Sequence, residues 1–342
     1  MNSIRVAVLG LGAWGECHVQ ALQSLPQATI AAVYDAAPQR TAQIAARYDV
    51  PAIENLGSLW ARDDVDLVIV ATPETHHFEA VTRALETGKH VLVEKPVSAS
   101  PDQARAMQSA ANAANRFLVP GHILRFDPRY ASIKTHIEQG RIGRVLSVFS
   151  KRARPQEQLA VHGRAHTAFV LMAHDIDLAL WWIGERVTRV RSHALCVSEA
   201  QRVTAGEAPD VLWASLEFAN GPLAILQSSW LLPAAAHIEM ADSAEIIGER
   251  GMLHAQTNDG GFSWWSDEAQ SAGRHSPDLG IHHQFAGRAT GALSTQLAYL
   301  CDCIAGEKTP AHVSFADAVH GVEIADAIVQ SARQGREISL EN

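Results

Sequence analysis

Ile4-Arg5-Val6-Ala7-Val8-Leu9 runs directly into Gly10-Leu11-Gly12-Ala13-Trp14-Gly15. The first six residues read as a buried strand, and a helical pattern follows the glycines as far as Leu25. This is G-x-G-x-x-G in the strand–turn–helix setting that a dinucleotide-binding fold requires. Gly10 permits the tight turn, Gly12 lets the backbone approach a pyrophosphate, and Gly15 lets the helix pack closely on the strand. The helix N-terminus then offers N–H groups and the positive end of its dipole to the phosphates. Ala13 and Trp14 open that helix and belong to the same candidate cofactor surface.

Thr29 to Tyr34 reads as a second buried strand, with Asp35 at its end. An acid about 20 residues past the glycines takes the adenosine ribose hydroxyls and repels a 2′-phosphate. NAD is therefore favoured over NADP, a preference that the nearby Arg40 softens. Asp35 has a second reading, as a helix cap or turn residue before Pro38. A third strand, Val65 to Ala71, leads into Thr72-Pro73-Glu74-Thr75-His76-His77. A fourth, Val91 to Val93, ends in Glu94-Lys95-Pro96, and a fifth covers Phe117 to Val119. Helical patterns lie between them. The rhythm implies a parallel sheet with helices on both faces. Ligands bind at the carboxyl ends of such strands. That makes Ala71, Thr72, Pro73, His76, Glu94, Lys95 and Pro96 candidate cofactor contacts beside Gly10, Gly12, Ala13, Trp14, Gly15, Asp35 and Arg40.

The chain has 342 residues, enough for two domains with real cores. A formal net charge of −9 argues against a nucleic-acid or anionic-membrane partner. No apolar run approaches the roughly 18 residues of a membrane span. The N-terminal run is too short for a secretory signal. The four cysteines read as reduced thiols, which fits a cytoplasmic protein.

After Arg125 the pattern changes. Tyr130 to Gln139 reads as a helix, Val145 to Ser150 as a strand, and Thr167 to Ile183 as one apolar helix ended by Gly184. Strands are expected at Val187–Val197, Val211–Phe218, Leu223–Trp230, Ala244–Ile247, Met252–Gln256 and Phe262–Trp265. Gly221 and Gly251 suggest hairpins and antiparallel pairing. Helices at Ala292–Ala305 and Phe315–Gln334 close the chain. The expected architecture is an α/β Rossmann domain over 1–122 and an α+β domain over 123–342. The second carries a large, mostly antiparallel open sheet and serves substrate binding and oligomerisation. Arg152 and Arg154 can grip a substrate carboxylate or phosphate; they also read as a solvated basic loop. The 17 histidines include the adjacent pairs His76-His77 and His282-His283. Adjacent histidines on a strand point to opposite faces, His162 and His166 would need helical spacing in a stretch containing Gly163, and no Cys or carboxylate cluster supports them, so no metal is expected.

Taken together, these motifs resemble the Gfo/Idh/MocA oxidoreductases. The carriers are the glycine turn, Ala71-Thr72-Pro73, Glu94-Lys95-Pro96, Gly121-His122-Ile123-Leu124-Arg125-Phe126, His174-Asp175-Ile176-Asp177 and Ile246-Ile247-Gly248-Glu249-Arg250-Gly251. The resemblance implies a nicotinamide-dependent dehydrogenase acting on a secondary alcohol of a sugar, cyclitol or sugar acid. It implies that Lys95 lies near the nicotinamide and the reacting carbon, with a cis bond to Pro96, and that His174 shares the proton work. Read alone, Lys95 is a snorkelling surface lysine and His174 a hydrogen-bonded structural histidine. Asp177, His122 and Arg125 are expected to face substrate, although Arg125 can instead pair with an acid such as Asp127. Relatives commonly carry an acid four residues before the histidine; here that position is Val170. The resemblance leaves other chemistries open: net hydrolysis or sugar–sugar redox on a tightly held NAD, imine or dihydrodiol oxidation, or a non-catalytic NAD(H)-binding regulator. It also implies a homodimer or homotetramer.

Overall fold

The computed structural model describes residues 3–162, 165–197, 208–233, 240–257, 264–266, 273–275 and 279–340. The chain divides into two compact units. The first comprises Met1–Asp127 and Gly280–Val319, the second Pro128–Leu279 and His320–Asn342.

The first unit is built on a five-stranded sheet in the order β2-β1-β3-β4-β5. Its strands are β1 (Ile4–Leu9), β2 (Ala28–Tyr34), β3 (Leu67–Val70), β4 (His90–Val93) and β5 (Leu118–Pro120). Every pair is parallel. Val8, Ile69 and Leu92 are fully buried, because helices cover both faces. Those helices include α1 (Ala13–Gln23), α2 (Pro38–Tyr48), the short α3 (Leu56–Trp60), α4 (His77–Glu86) and α5 (Pro101–Ala114). Ser100 caps α5 by accepting from Gln103 N, and Pro101 starts it. The chain leaves β1 toward β2 on one side and β3 on the other, so the switch point lies at the carboxyl ends of β1 and β3. A hairpin, β14 (His283–Phe285) with β15 (Arg288–Thr290), and helix α10 (Ala292–Ala305) also belong to this unit.

The second unit holds a seven-stranded sheet in the order β11-β10-β6-β9-β8-β7-β16. The strands are β6 (Val145–Pro155), β7 (Val187–Leu195), β8 (Val211–Phe218), β9 (Leu223–Leu232), β10 (Ala241–Gly248), β11 (Gly251–Gln256) and β16 (Ile338–Ser339). All neighbours are antiparallel except β6 and β9. One face is buried at Val148, Leu212, Leu226 and Ile246. Its helices are α6 (Pro128–Glu138), α7 (Gln156–His162), α8 (Thr167–Val170), α9 (Ala173–Ile183) and most of α11 (Phe315–Gln334). Two further short strands, β12 (Trp264–Ser266) and β13 (Gly273–His275), pair antiparallel. Of the strand expected at Phe262–Trp265, residues 262 and 263 lie outside the described residues.

One expected element is corrected. Thr167 to Ile183 is not a single helix. Leu171 and Met172 form a turn, and Met172 N donates to Thr167 O rather than to Ala168 O, breaking the ladder between α8 and α9. Val170 therefore does not sit one turn below His174 on a common helix. It packs against Leu159, Leu171, Ala208 and Trp230.

Candidate active site

Gly10 has φ +84°, and a Cβ there would lie 2.5 Å from Ala71 O. The β1 turn and the end of β3 thus touch at the switch point through backbone alone. A Cβ on Gly15 would lie 1.8 Å from Gly10 O, so only glycine lets α1 start this close to the strand. Gly12 is the N-cap of α1, supplies no side-chain cap, and has no atom within 4 Å of the Cβ it lacks. The helix N-terminus therefore opens onto free space beside exposed Ala13. These are the features a pyrophosphate needs, and the residues present fit a dinucleotide.

Asp35 is half-buried at the end of β2. Its Oδ2 accepts from Leu11 N at 2.8 Å and its Oδ1 from Ala37 N at 2.9 Å. The carboxylate is thereby fixed against the glycine turn. Arg40 Nε donates to Leu11 O at 2.6 Å and Nη2 to Glu16 Oε2 at 2.6 Å. Arg40 does lie beside the turn, but its guanidinium is engaged with the protein.

Glu94 follows β4 and is buried. Its Oε1 accepts from Trp14 Nε1 at 2.7 Å and from His18 Nε2 at 2.8 Å. Trp14 and His18 are one turn apart on α1, so both donors face the same way. Its other oxygen accepts from Lys95 N at 3.2 Å. Burial raises the Glu94 carboxyl, but the hydrogen bonds from His18 and Trp14 and the Lys95 charge hold it below the usual range. Gly121 is required here: a Cβ would stand 2.9 Å from Glu94 Oε2. Lys95 is half-buried and the Lys95–Pro96 bond is cis, as expected. His77 is buried below this loop, with Nδ1 3.0 Å from Pro96 O and Nε2 2.8 Å from Thr72 O. Desolvation lowers its pKa, and a neutral ring donates to only one of these carbonyls at a time. The β3 and β4 loops are braced together by this ring. Thr72 Oγ1 is buried without a hydrogen-bond partner among the described residues, at the ligand edge. Pro73 and His76 are exposed there.

His122 and Arg125 are buried just after β5. Arg125 Nη2 donates to Asp317 Oδ2 at 3.0 Å and Nη1 to His312 O at 3.3 Å. The acid that meets Arg125 on this side is Asp317, 192 residues away, which no local reading reaches. This pairing ties the loop after β5 to the start of α11 and the His312 backbone.

In the second unit, α9 presents His174 and Asp177 at a spacing that shares a face, while Asp175 points elsewhere. Asp177 is buried and His174 half-buried. Asp175 reaches the sheet, where Ser150 Oγ donates to it at 2.6 Å and Arg152 binds it through Nε and Nη2, each at 3.0 Å. Arg152 Nη1 and Arg154 Nη1 and Nη2 donate to Asp242. Arg152 is 2 % exposed. Its donors serve protein carboxylates, so it is neither the expected substrate clamp nor part of a solvated loop. Three residues with roles at the site escaped the sequence reading: Glu16, His18 and His77. The one available signal was the i, i+4 spacing of Trp14 and His18, two donors after the glycine turn.

Comparison with known proteins adds the lineage. Residues 4–122 match the family model described as "Oxidoreductase family, NAD-binding Rossmann fold", and residues 130–254 match the GFO/IDH/MocA C-terminal domain. The chain is 27 % identical to scyllo-inositol 2-dehydrogenase (NAD(+)) of Bacillus subtilis, over 99 % of this chain and 97 % of that protein. It is also 27 % identical to inositol 2-dehydrogenase of Rhizobium meliloti, over 99 % of each. In fold it is similar to the crystal structure of scyllo-inositol dehydrogenase from Lactobacillus casei with bound NAD(H) and scyllo-inositol, with TM-score 0.84 at 22 % identity and 99 % coverage of both chains. The chain belongs to the Gfo/Idh/MocA family, as an oxidoreductase whose N-terminal Rossmann fold binds NAD.

Proposed function

We propose that this enzyme oxidises a secondary alcohol of a cyclitol, sugar or sugar acid, with Lys95 and His174 handling the proton. The observation that carries the reading is the setting of Lys95. It is half-buried at the carboxyl end of β4, between a cis proline and an acid bonded to the glycine-turn helix through Trp14. The glycine turn and Asp35 would hold NAD⁺, which would supply the acceptor for the hydride of the carbinol carbon. The Lys95 ammonium donates a hydrogen bond to the substrate oxygen as negative charge gathers there. His174, neutral, takes the hydroxyl proton, and Asp177 on the same helix face orients the ring or a substrate hydroxyl. Inositol dehydrogenases among the relatives support a polyol substrate. In this reading residues 1–122 hold the cofactor and the second compact unit, Pro128–Leu279 with His320–Asn342, serves the substrate.

We assign the site of action to the cytoplasm. Among the described residues no helix is long and apolar enough to cross a membrane. The working form is proposed to be a homodimer or homotetramer. The test is a panel of inositols, aldoses and sugar acids with NAD⁺ and NADP⁺, followed at the NADH absorbance. It is run beside Lys95→Met, which is expected to bind NADH and to lose turnover on whichever polyol is active. Normal turnover by Lys95→Met would refute the assignment of Lys95. Absence of any polyol activity would refute the substrate class.

A further inference from the structure

Arg40 lies next to the acid that ends β2, a region where Rossmann folds that take NADP use an arginine to accommodate the 2′-phosphate. In this chain the guanidinium is latched. Nε donates to Leu11 O at 2.6 Å, Nη2 to Glu16 Oε2 at 2.6 Å and Nη1 to Gln43 Oε1 at 2.8 Å. The other oxygen of Glu16 accepts from Arg47 Nη1 at 2.5 Å and from Tyr48 OH at 2.6 Å. The Arg40 and Glu16 side chains keep only 27 % and 15 % of their surface. Leu11, whose carbonyl takes Arg40 Nε, gives its own N–H to Asp35 Oδ2. Arginine, acid and glycine turn therefore form one connected group. The latch also holds across the working pH range. The Tyr48 hydroxyl, against the opposing effect of burial and together with Arg40 and Arg47, holds the Glu16 carboxyl down to about 2.

We propose that Glu16 is a specificity-determining residue for the cofactor: by latching Arg40 to the start of α1, it withholds from a 2′-phosphate the cation that stands beside Asp35. Selection for NAD is then composite. Asp35 repels the extra phosphate, and Glu16 removes the counterion that would offset that repulsion. Removing Glu16 frees Arg40 Nη2 and leaves the guanidinium held only through Leu11 O and Gln43 Oε1, while Asp35 remains, so selectivity narrows without inverting. The inference rests on NAD binding by this family and not on the polyol reading, because its test needs no substrate.

The experiment measures dissociation constants of NADH and NADPH for the whole chain by fluorescence titration and calorimetry. An arginine–phosphate contact is charge-assisted. Glu16→Ala is accordingly expected to lower the NADPH-to-NADH ratio of dissociation constants by about ten- to a hundredfold. Adding Arg40→Leu to that variant restores the ratio toward its starting value. Arg40→Leu alone leaves the ratio within about threefold, since the latched arginine does not serve the phosphate. The proposal is overturned if folded Glu16→Ala, checked by circular dichroism, keeps the original ratio, or if the gain survives in the double variant. It is equally overturned if Arg40→Leu alone raises the ratio by about tenfold or more. That last measurement decides the matter even if Glu16→Ala does not fold.

Discussion

Glu94 sits between two donors from α1 and the backbone of the lysine that follows it. Its charge and its geometry both bear on Lys95. Glu94→Gln keeps the volume but loses the charge, and an amide accepts through one end only. Either Trp14 and His18 or Lys95 N then meets an NH₂ group instead of an oxygen. A displacement of about 1 Å at a catalytic group costs about a hundredfold in rate. The expected result is a kcat lower by about ten- to a hundredfold, with the dissociation constant for NADH changed far less. Steady-state kinetics beside a binding titration check this split; an equal loss in both would assign Glu94 to cofactor binding instead. At this scale the sequence was legible in part. The glycine turn and Glu94-Lys95-Pro96 are contiguous stretches, and Asp35 stands at a set distance from the glycines, so a local reading reaches these residues. Arg125 and Arg152 did not, because their partners Asp317, Asp175 and Asp242 are distant in the chain and only the fold brings them near. An isolated arginine looks the same in sequence whether it grips a ligand or a buried carboxylate.

Strand pairing and buried ion clusters carry the element-scale consequences. His90 opens β4, and its Nδ1 accepts from Phe117 N at 2.9 Å, next to the first β4–β5 pairing. That bond requires the neutral ring. Desolvation, with the Arg116 charge adding to it, lowers the pKa of His90 from 6.5 to about 4. Because the folded pKa lies below the unfolded one, protons bind the unfolded chain first. Stability is present above about pH 6.5 and is lost as pH falls toward 4. His166, also lowered to about 4 by desolvation, acts in the same direction. Denaturant melts at pH 7 and pH 5 are expected to show a lower midpoint at pH 5, with a smaller difference in His90→Asn; equal differences would remove His90 from the account. Arg152 gives a second prediction. Arg152→Met takes the guanidinium from buried Asp175 and leaves Asp242 with Arg154, and breaking such a cluster costs about 3–5 kcal/mol. A fall in thermal midpoint is expected, whereas a residue that only clamped substrate would change KM and leave the midpoint in place. The helix expected over Thr167 to Ile183 reads as one because apolar residues run through its turn. Periodicity registers burial, and Leu171 and Met172 are buried in the turn as they would be in a helix.

For the whole molecule, the run of strands after Arg125, with its hairpin glycines, announced a mostly antiparallel sheet, but not its order or its parallel β6–β9 pair. Two-residue periodicity fixes which face a side chain takes and leaves the neighbour undetermined. The return of Gly280–Val319 to the first compact unit was equally hidden. What alternation does give is the composition of the second face. Phe149 and Ile225 are register partners, Ile247 faces Met252, and the Phe149 and Trp213 rings lie 6.3 Å apart. Trp213 is 37 % exposed, Ile247 43 % and Met252 56 %. Charged neighbours on the same rows, Lys151 and Glu245, limit but do not close this apolar surface. Exposed large apolar side chains gathered on one sheet face suit an association surface. A second copy of the same chain is the occupant we expect, since a two-fold contact pairs one patch with itself. Paired Trp213→Asp and Ile247→Asp substitutions place like charges in such a contact, where the symmetry presents each twice. Sedimentation velocity of the parent chain is expected to give a dimer or tetramer at micromolar concentration, and of the double variant a smaller species with unchanged far-ultraviolet dichroism. An unchanged mass in the folded double variant would move the interface off this face, and a monomeric parent would remove the assembly altogether.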